Sequence, residues 1–270
     1  MERVEGTRVT QPSASSGIEV RHCTELAEFE ECLRLEHEVW GWGDDITVPV
    51  PVFVVARHTG GQVLGAFDGP KMIGFTLALS GNRGDRTFLH SHMTAVLPGY
   101  RDQGIGRRLK LFQRDDAIER GIGLVEWTFD PLELKNAHFN LVRLGAVVRR
   151  YMPNCYGITN SPLHAGIPTD RLVAEWWLES PRVQAILQER PLADAATSER
   201  FPVPAELAEI KAADPAATAK IQSGLREHFI QAFAKGQAVT SIQARGERVD
   251  YILQDAASIA GLQLPSLQQH

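Results

Sequence analysis

The sequence has no apolar run able to cross a membrane. Its longest, Val48–Ala56, is interrupted by Pro49 and Pro51 and falls well short of the roughly 20 residues a span requires. It has no basic excess either: the net charge is −5, which argues against a broad nucleic-acid or anionic-lipid surface. Cysteine is scarce. The three present, Cys23, Cys32 and Cys155, include no Cys-x-x-Cys spacing, which excludes a disulfide framework and a cysteine-rich zinc cluster. No basic-then-apolar leader opens the chain, and no repeat of fixed period runs through it. Residues 1–17 are polar and Ser-rich and are expected to form a flexible tail. These absences point to a reduced, cytoplasmic protein. What is present is ordinary for a globular chain: 270 residues, 43% hydrophobic and 23% charged, enough for one sizeable core.

The patterning alternates strands and helices. Ile18–Arg21 reads as a short strand, and Thr24 as the cap of a helix reaching Val39. Pro49–His58 fits either a second helix or an extended connector. Gln62–Phe67 and Met72–Leu79 form a predicted hairpin across Asp68-Gly69-Pro70-Lys71. Phe88–Val96 is a further strand, followed by a helix from Ile105 to Arg120. Leu124–Phe129 is a compact apolar strand. Asp130-Pro131-Leu132-Glu133 then has the form of a helix start, with that helix ending at Leu144 and Gly145. Ala146–Tyr151 and Arg171–Leu178 are the last strands of the α/β core. Beyond Pro181 the texture changes: residues 191–220 look like a linker or loosely packed helices. An amphipathic helix spans Pro215–Lys235, and Ala238–Gln243 with Arg248–Leu253 reads as a hairpin.

The most informative stretch is Val96-Leu97-Pro98-Gly99-Tyr100-Arg101-Asp102-Gln103-Gly104-Ile105-Gly106-Arg107-Arg108. A strand enters a turn, then Arg-x-x-Gly-x-Gly, then a helix. Unpaired amides at a helix start, reinforced by the helix dipole, form an anion cradle. Gly104 and Gly106 remove the side chains that would keep a phosphate from the backbone, and Arg101, Arg107 and Arg108 add charge. A dinucleotide fingerprint would need glycine at 109, where Leu109 stands, and no Gly-Lys-Ser/Thr of a P-loop occurs. The pattern resembles the acyl-CoA loop of the GNAT N-acyltransferase superfamily. The resemblance implies a GNAT-type mixed central sheet with flanking helices over residues 18–180. It also implies acetyl-CoA or another acyl-CoA as co-substrate, and no metal. Gln103, Gly104, Gly106, Arg101 and Arg107 would hold the pyrophosphate. The splayed backbone at Thr94 and Val96 would pair with the pantetheine arm. Asn136-Ala137, in the helix ending Leu144-Gly145-Ala146, is similar to the Asn-bearing helix that lines that arm, with Ala146 replacing the usual Phe. Trp127-Thr128-Phe129-Asp130-Pro131-Leu132 and Pro168-Thr169-Asp170-Arg171-Leu172-Val173 resemble a branch of predicted acetyltransferases.

Acyl transfer to an amine requires removal of an ammonium proton. His90 and His92 are two apart on the strand entering the loop, hence on one face, and an unperturbed imidazole titrates near 6.5. The pair resembles the His-x-His of the arylalkylamine N-acetyltransferases, which implies a proton path with His90 first. Two histidines without a third ligand do not complete a metal site. The resemblance puts the family's tyrosine acid at position 141, which is Leu141. Tyr156, Tyr151 or Cys155 could substitute, Tyr156 foremost, or the thiolate could leave unaided. Arg171 could fork onto a carboxylate, although a surface ion pair with Asp170 or Glu175 is the plainer expectation. Trp40, Trp42, Trp176 and Trp177 fit a core better than a pocket wall.

These readings converge on an α/β fold of GNAT type with a C-terminal extension, residues 181–270, made of a linker, a helix and a β-hairpin. The expected reaction is direct transfer from acyl-CoA to the primary amine of a small molecule such as an amino acid. Acetyl is the default acyl group, and succinyl is expected if Arg149, Arg150 or Arg171 faces the thioester. No nucleic acid or membrane partner is expected; the extension would cover the acceptor site or build a homodimer. The alternative is a CoA-binding regulator or degenerate enzyme on the same fold, favoured by Leu141 and opposed by His90 and His92.

Overall fold

The computed structural model describes residues 17–41, 47–157, 166–192 and 198–262. Of the tail expected over residues 1–17, residues 1–16 lie outside them, as does Trp42. β1 (Ile18–His22) leads to α1 (Leu26–Trp40), whose buried Phe29, Cys32, Leu35 and Glu36 recur at helical spacing. α1 starts one residue later than expected. Glu25, not Thr24, is its cap, in a box with Glu28 that satisfies two orphan amides reciprocally. The open choice at Pro49–His58 resolves as α2 (Val50–His58), with Pro51 in the first turn, where its missing N–H costs nothing.

β2 (Gln62–Asp68), β3 (Lys71–Arg83) and β4 (Arg86–Val96) form an antiparallel meander. α3 (Ile105–Glu119) crosses to β5 (Leu124–Phe129), the parallel neighbour of β4. The predicted helix start at Asp130 is corrected. The Asp130 carboxylate accepts from the Leu132 amide at 2.8 Å, a turn that delays α4 to Leu134–His138. α4 then widens into a π-helical turn over Phe139–Arg143. β6 (Val147–Met152) and β7 (Arg171–Trp177) complete the first half of the chain's fold.

The linker expected after Pro181 is also corrected. Ser180 caps α5 (Pro181–Leu187), and the described part of 191–220 holds β8 (Glu199–Pro204), α6 (Leu207–Ala213) and the start of α7 (Pro215–Ala234). Pro202 and Pro204 conceal β8 in the sequence, yet β8 is an edge strand bonded to one neighbour, where proline is tolerated. β9 (Gln237–Arg245) and β10 (Arg248–Asp255) are the expected hairpin. The ten strands among the described residues share one sheet, ordered β1-β2-β3-β4-β5-β7-β6-β9-β10-β8. Among the described residues no helix is long and apolar enough to cross a membrane.

Two large apolar clusters flank the middle of the sheet. One gathers α1, α2, β2–β4 and the first half of α3; the other gathers β5–β7, β9, β10, α5 and α7. The boundary between them falls close to the junction of β4 and β5, where the candidate site lies.

Candidate active site

β4 is bonded to β3 along its whole length, from Arg83↔Arg86 to Gly74↔Val96. Its pairing with β5 covers only Leu89↔Val125 and His90↔Glu126. Past His90 no β4–β5 pair is made, while β5 stays paired with β7 as far as Phe129↔Leu172. The β5-facing backbone of residues 91–96 therefore lacks a strand partner, and such a row of polar groups calls for a ligand or solvent. Thr94 turns its hydroxyl to Thr76 Oγ1 at 3.0 Å, leaving its main chain as the feature toward the opening.

At the open end, a 3-10 turn at Pro98–Tyr100 leads into α3. Gly104 caps α3 with φ +78°, a left-handed conformation that favours glycine. Gly106 is different. A Cβ there would meet nothing nearer than Val96 Cγ2 at 4.0 Å, so protein packing does not require its glycine. A ligand approaching the first-turn amides would. Gln103 donates to the Gly99 carbonyl at 2.9 Å and Arg101 Nε to the Val96 carbonyl at 3.3 Å, bracing the loop. Arg107 Nε is buried without a hydrogen-bond partner, whereas Arg108 donates to the Ile18 carbonyl of β1 and serves the fold. The cradle thus suits a diphosphate. Asn136 is exposed in α4 and accepts from Asn140 Nδ2 at 3.3 Å.

His90 and His92 come together as expected, their ring centroids 6.2 Å apart. The register shifts between Leu77↔Met93 and Ala78↔Ser91, which makes His92 the extra residue of a β-bulge. Burial, then His92, Lys110 and Arg150, push the His90 pKa below its ordinary value against the opposing pull of Glu126. Burial does the same to His92. Both imidazoles are thereby favoured in the neutral form, the one that accepts a proton.

Sequence reasoning missed Glu126, opposite His90. Arg83 grips its two oxygens at 2.8 and 2.9 Å, and Arg150 lies 2.7 Å away. Burial alone would raise its pKa, but the two guanidiniums outweigh it and hold the carboxyl below its usual range. A bulge in β6 between Val148 and Arg150 lets consecutive Arg149 and Arg150 both address Glu175. A lone Glu in the apolar run Leu124–Phe129 was the available signal.

Lys110, on the inner side of α3, was also missed. It is 4% exposed, its Nζ donates to Ser91 Oγ at 2.8 Å and Gln113 Oε1 at 3.0 Å, and it sits 4.1 Å from the Trp127 ring centroid. Burial pushes its pKa down to about 7.

The Tyr156 hydroxyl lies 2.9 Å from Thr128 Oγ1, two residues beyond Glu126 on β5. Burial, the largest influence, raises its pKa, so it holds its proton. Leu141 is fully buried in the π-helical turn. Arg171 is 4.0 Å from Asp130 and 5.5 Å from the Tyr156 ring. Its carboxylate neighbour is thus Asp130, whereas Asp170 offers a carbonyl at 3.1 Å. Trp176 is a core residue, donating to the Leu144 carbonyl at 2.7 Å, and Trp40 packs edge-on against Phe75. Among the described residues no group of three His, Cys, Asp or Glu could hold a metal ion. A cavity of about 1220 Å³ lies at the other end of the strands, around Arg86, Phe88, Arg120 and Trp177.

The family model described as acetyltransferase (GNAT) family matches residues 22–145. That stretch belongs to the GNAT family. It runs from the end of β1 through the π-helical turn, the parted strands and the glycine cradle included, and supports an acyl-CoA-dependent N-acetyltransferase domain with acetyl-CoA as co-substrate. A search of curated proteins found no match. Among solved structures, the chain is similar to the ribosomal-protein-S18-alanine N-acetyltransferase from Escherichia coli. Identity is 17%, over 58% of this chain and 92% of that one, with a TM-score of 0.46. It is also similar to yncA from Salmonella typhimurium, solved with acetyl-CoA: 16% identity, 67% and 100% coverage, TM-score 0.48. A third is an aminoglycoside acetyltransferase from an uncultured soil metagenomic sample: 16% identity, 47% and 87% coverage, TM-score 0.43.

Proposed function

We propose that this GNAT enzyme works in the cytoplasm and transfers an acetyl group from acetyl-CoA to the primary amine of a small molecule such as an amino acid. Transfer is direct, within a ternary complex. The observation that carries this reading is the parting of β4 and β5 just beyond His90 and Glu126, beneath a glycine cradle whose second glycine borders open space. The amides at Gly104 and Gly106, with Arg101, Gln103 and Arg107, receive the pyrophosphate. The main chain at Thr94 and Val96 pairs with the pantetheine arm, and Asn136 stands beside it on α4.

His90 takes the ammonium proton and His92 passes it to solvent; the lowered pKa of each supports that role. Tyr156, anchored on Thr128, orients the acceptor. Arg149 already serves Glu175 and Arg150 pairs with Glu126, which favours acetyl over succinyl. The net charge of −5 favours a free small amine over a target bound to nucleic acid. A β9 bridge occupies the outer edge of β6, so a homodimer would use another surface.

The test is CoA release followed with DTNB over a panel of primary amines, beside calorimetry with acetyl-CoA. Turnover of at least one small amine, lost in His90→Ala with acetyl-CoA affinity kept, supports the reading. Tight binding without turnover of any amine would support a regulator, and no binding by a folded protein would overturn the acyltransfer reading altogether.

A further inference from the structure

The buried ammonium of Lys110 is not used by the reaction as described above. Among the described residues it has no carboxylate partner. The groups against it are Ser91 of β4, Gln113 of its own helix and the Trp127 ring of β5. It therefore bridges the two strands that part. A cation kept 96% out of water without an opposite charge is costly, and apolar residues of similar size are usually tolerated better at such positions. Position 110 thus holds a residue that stability alone does not favour.

Ser91 is the first residue of β4 beyond the last pair with β5. Its hydroxyl accepts from Lys110, which leaves its own proton for another acceptor. The side chains at 89, 91, 93 and 95 are the buried ones of β4, while those at 90, 92, 94 and 96 are less buried. Ser91 and Lys110 thus stand across β4 from His90. Leu141, in the same apolar cluster as Trp127, offers no proton on that side.

We propose that Ser91 and Lys110 form the proton-donating arm of the reaction, Ser91 protonating the departing CoA sulfur and Lys110 replenishing Ser91. The inference rests on the acyltransfer reading. The amine attacks the thioester carbonyl and the carbon–sulfur bond breaks with its electron pair on sulfur. Sulfur takes the Ser91 proton, Ser91 takes one from Lys110 Nζ, and Lys110, left neutral, regains its proton from solvent after the thiol departs. The proton shed by the amine leaves separately through His90, so protons balance. Lys110 acts through Ser91 and is a positioning residue.

The energetics agree. Burial brings Lys110 to about 7, and an alkyl thiol titrates near ~8.5, so transfer toward a thiolate is downhill. Lys110 must be protonated to act, and the activity it supports declines as pH rises through about 7. The titratable or charged groups around the opening are His90, His92, Glu126, Arg83 and Arg150, and His90 senses Lys110 across the strand.

The test compares wild type with Lys110→Met, Lys110→Arg, Ser91→Ala and Tyr156→Phe. It measures kcat against pH by DTNB with the best amine, acetyl-CoA affinity by calorimetry, and melting temperature. Lys110→Met should melt at or above wild type and keep acetyl-CoA affinity. It should lose about 100-fold in kcat near neutral pH and lack the alkaline decline near pH 7. Ser91→Ala should match it. Lys110→Arg keeps the charge but does not give up its proton, and should not restore turnover. Tyr156→Phe should retain the alkaline decline. Folded Lys110→Met with kcat within threefold of wild type and an unchanged pH profile overturns the proposal alone. Wild type that binds acetyl-CoA but releases no CoA with any amine of the panel overturns the acyltransfer reading and this proposal with it.

Discussion

His90 of β4 and Glu126 of β5 form the last cross-strand pair before the two strands separate. A proton acceptor thus stands at the foot of the opening, beside a carboxylate that two guanidiniums keep ionised. The pair links acid–base behaviour at the site to the way the sheet is built.

Neutral His90 is the reactive form, so the rate should fall as pH drops through its pKa, which burial places below 6.5. His90→Gln should lower kcat about 100-fold or more while acetyl-CoA affinity stays the same. A variant within threefold of wild type in a DTNB assay would remove His90 from its role.

Glu126 raises the His90 pKa, so Glu126→Gln should move the acid limb of the pH–rate profile to lower pH. It also removes the charge facing Arg83 and one of the two carboxylates facing Arg150, at a cost of about 2 kcal/mol by urea unfolding. The cost is held down because both arginines remain partly exposed. An acid limb that stays put, or moves up, contradicts the assigned coupling.

The two cradle glycines should respond differently. Gly106→Ala should raise helix stability by up to about 1 kcal/mol and still weaken acetyl-CoA binding, because its Cβ points into space left by the protein. Gly104→Ala should lose both affinity and about 1–2 kcal/mol of stability, since alanine resists φ +78°. Calorimetry and thermal melts on the same samples separate the two. Unchanged affinity in Gly106→Ala would mean that the cradle holds no diphosphate.

Glu36 provides a stability test away from the site. It is fully buried, one oxygen accepts from the Val48 amide, and burial, the largest influence, raises its pKa from 4.5 to about 7. The folded protein therefore holds this proton more tightly than the unfolded chain, and stability is lost as pH rises from about 4.5 to about 7. Glu36→Gln should flatten that slope and stabilise the protein by about 2–3 kcal/mol at pH 8. Equal urea midpoints for the two proteins at pH 8 would refute it.

Much of the site is legible in the sequence. The Gly104–Gly106 loop and the His90–His92 spacing were readable because each depends on neighbours in sequence: amides at a helix start, alternation along a strand. Glu126, Arg83 and Lys110 were not, because their meaning comes from partners that only the folded sheet supplies. In the sequence Lys110 is one more polar position on an amphipathic helix; in the fold Ser91 and Trp127 enclose it. β8 was hidden for another reason. Its prolines argue against a strand in general and are acceptable only where one side has no neighbour, which is a property of topology.

The register joins the last three strands to β6 through a single bridge, Val148↔Val239. Firmer ties are made by side chains: Arg226 forks onto buried Asp170 at 2.8 Å twice, Lys211 reaches Asp130 at 2.8 Å, and the Tyr251 hydroxyl reaches the Pro131 carbonyl at 2.6 Å. Asp130 and Pro131 directly follow β5, one wall of the opening, and Asp170 directly precedes β7, which supports it. The C-terminal third is therefore a buttress for that wall. Shortening the protein to its apparent minimal catalytic unit would remove the masonry that keeps the far bank of the acyl channel upright.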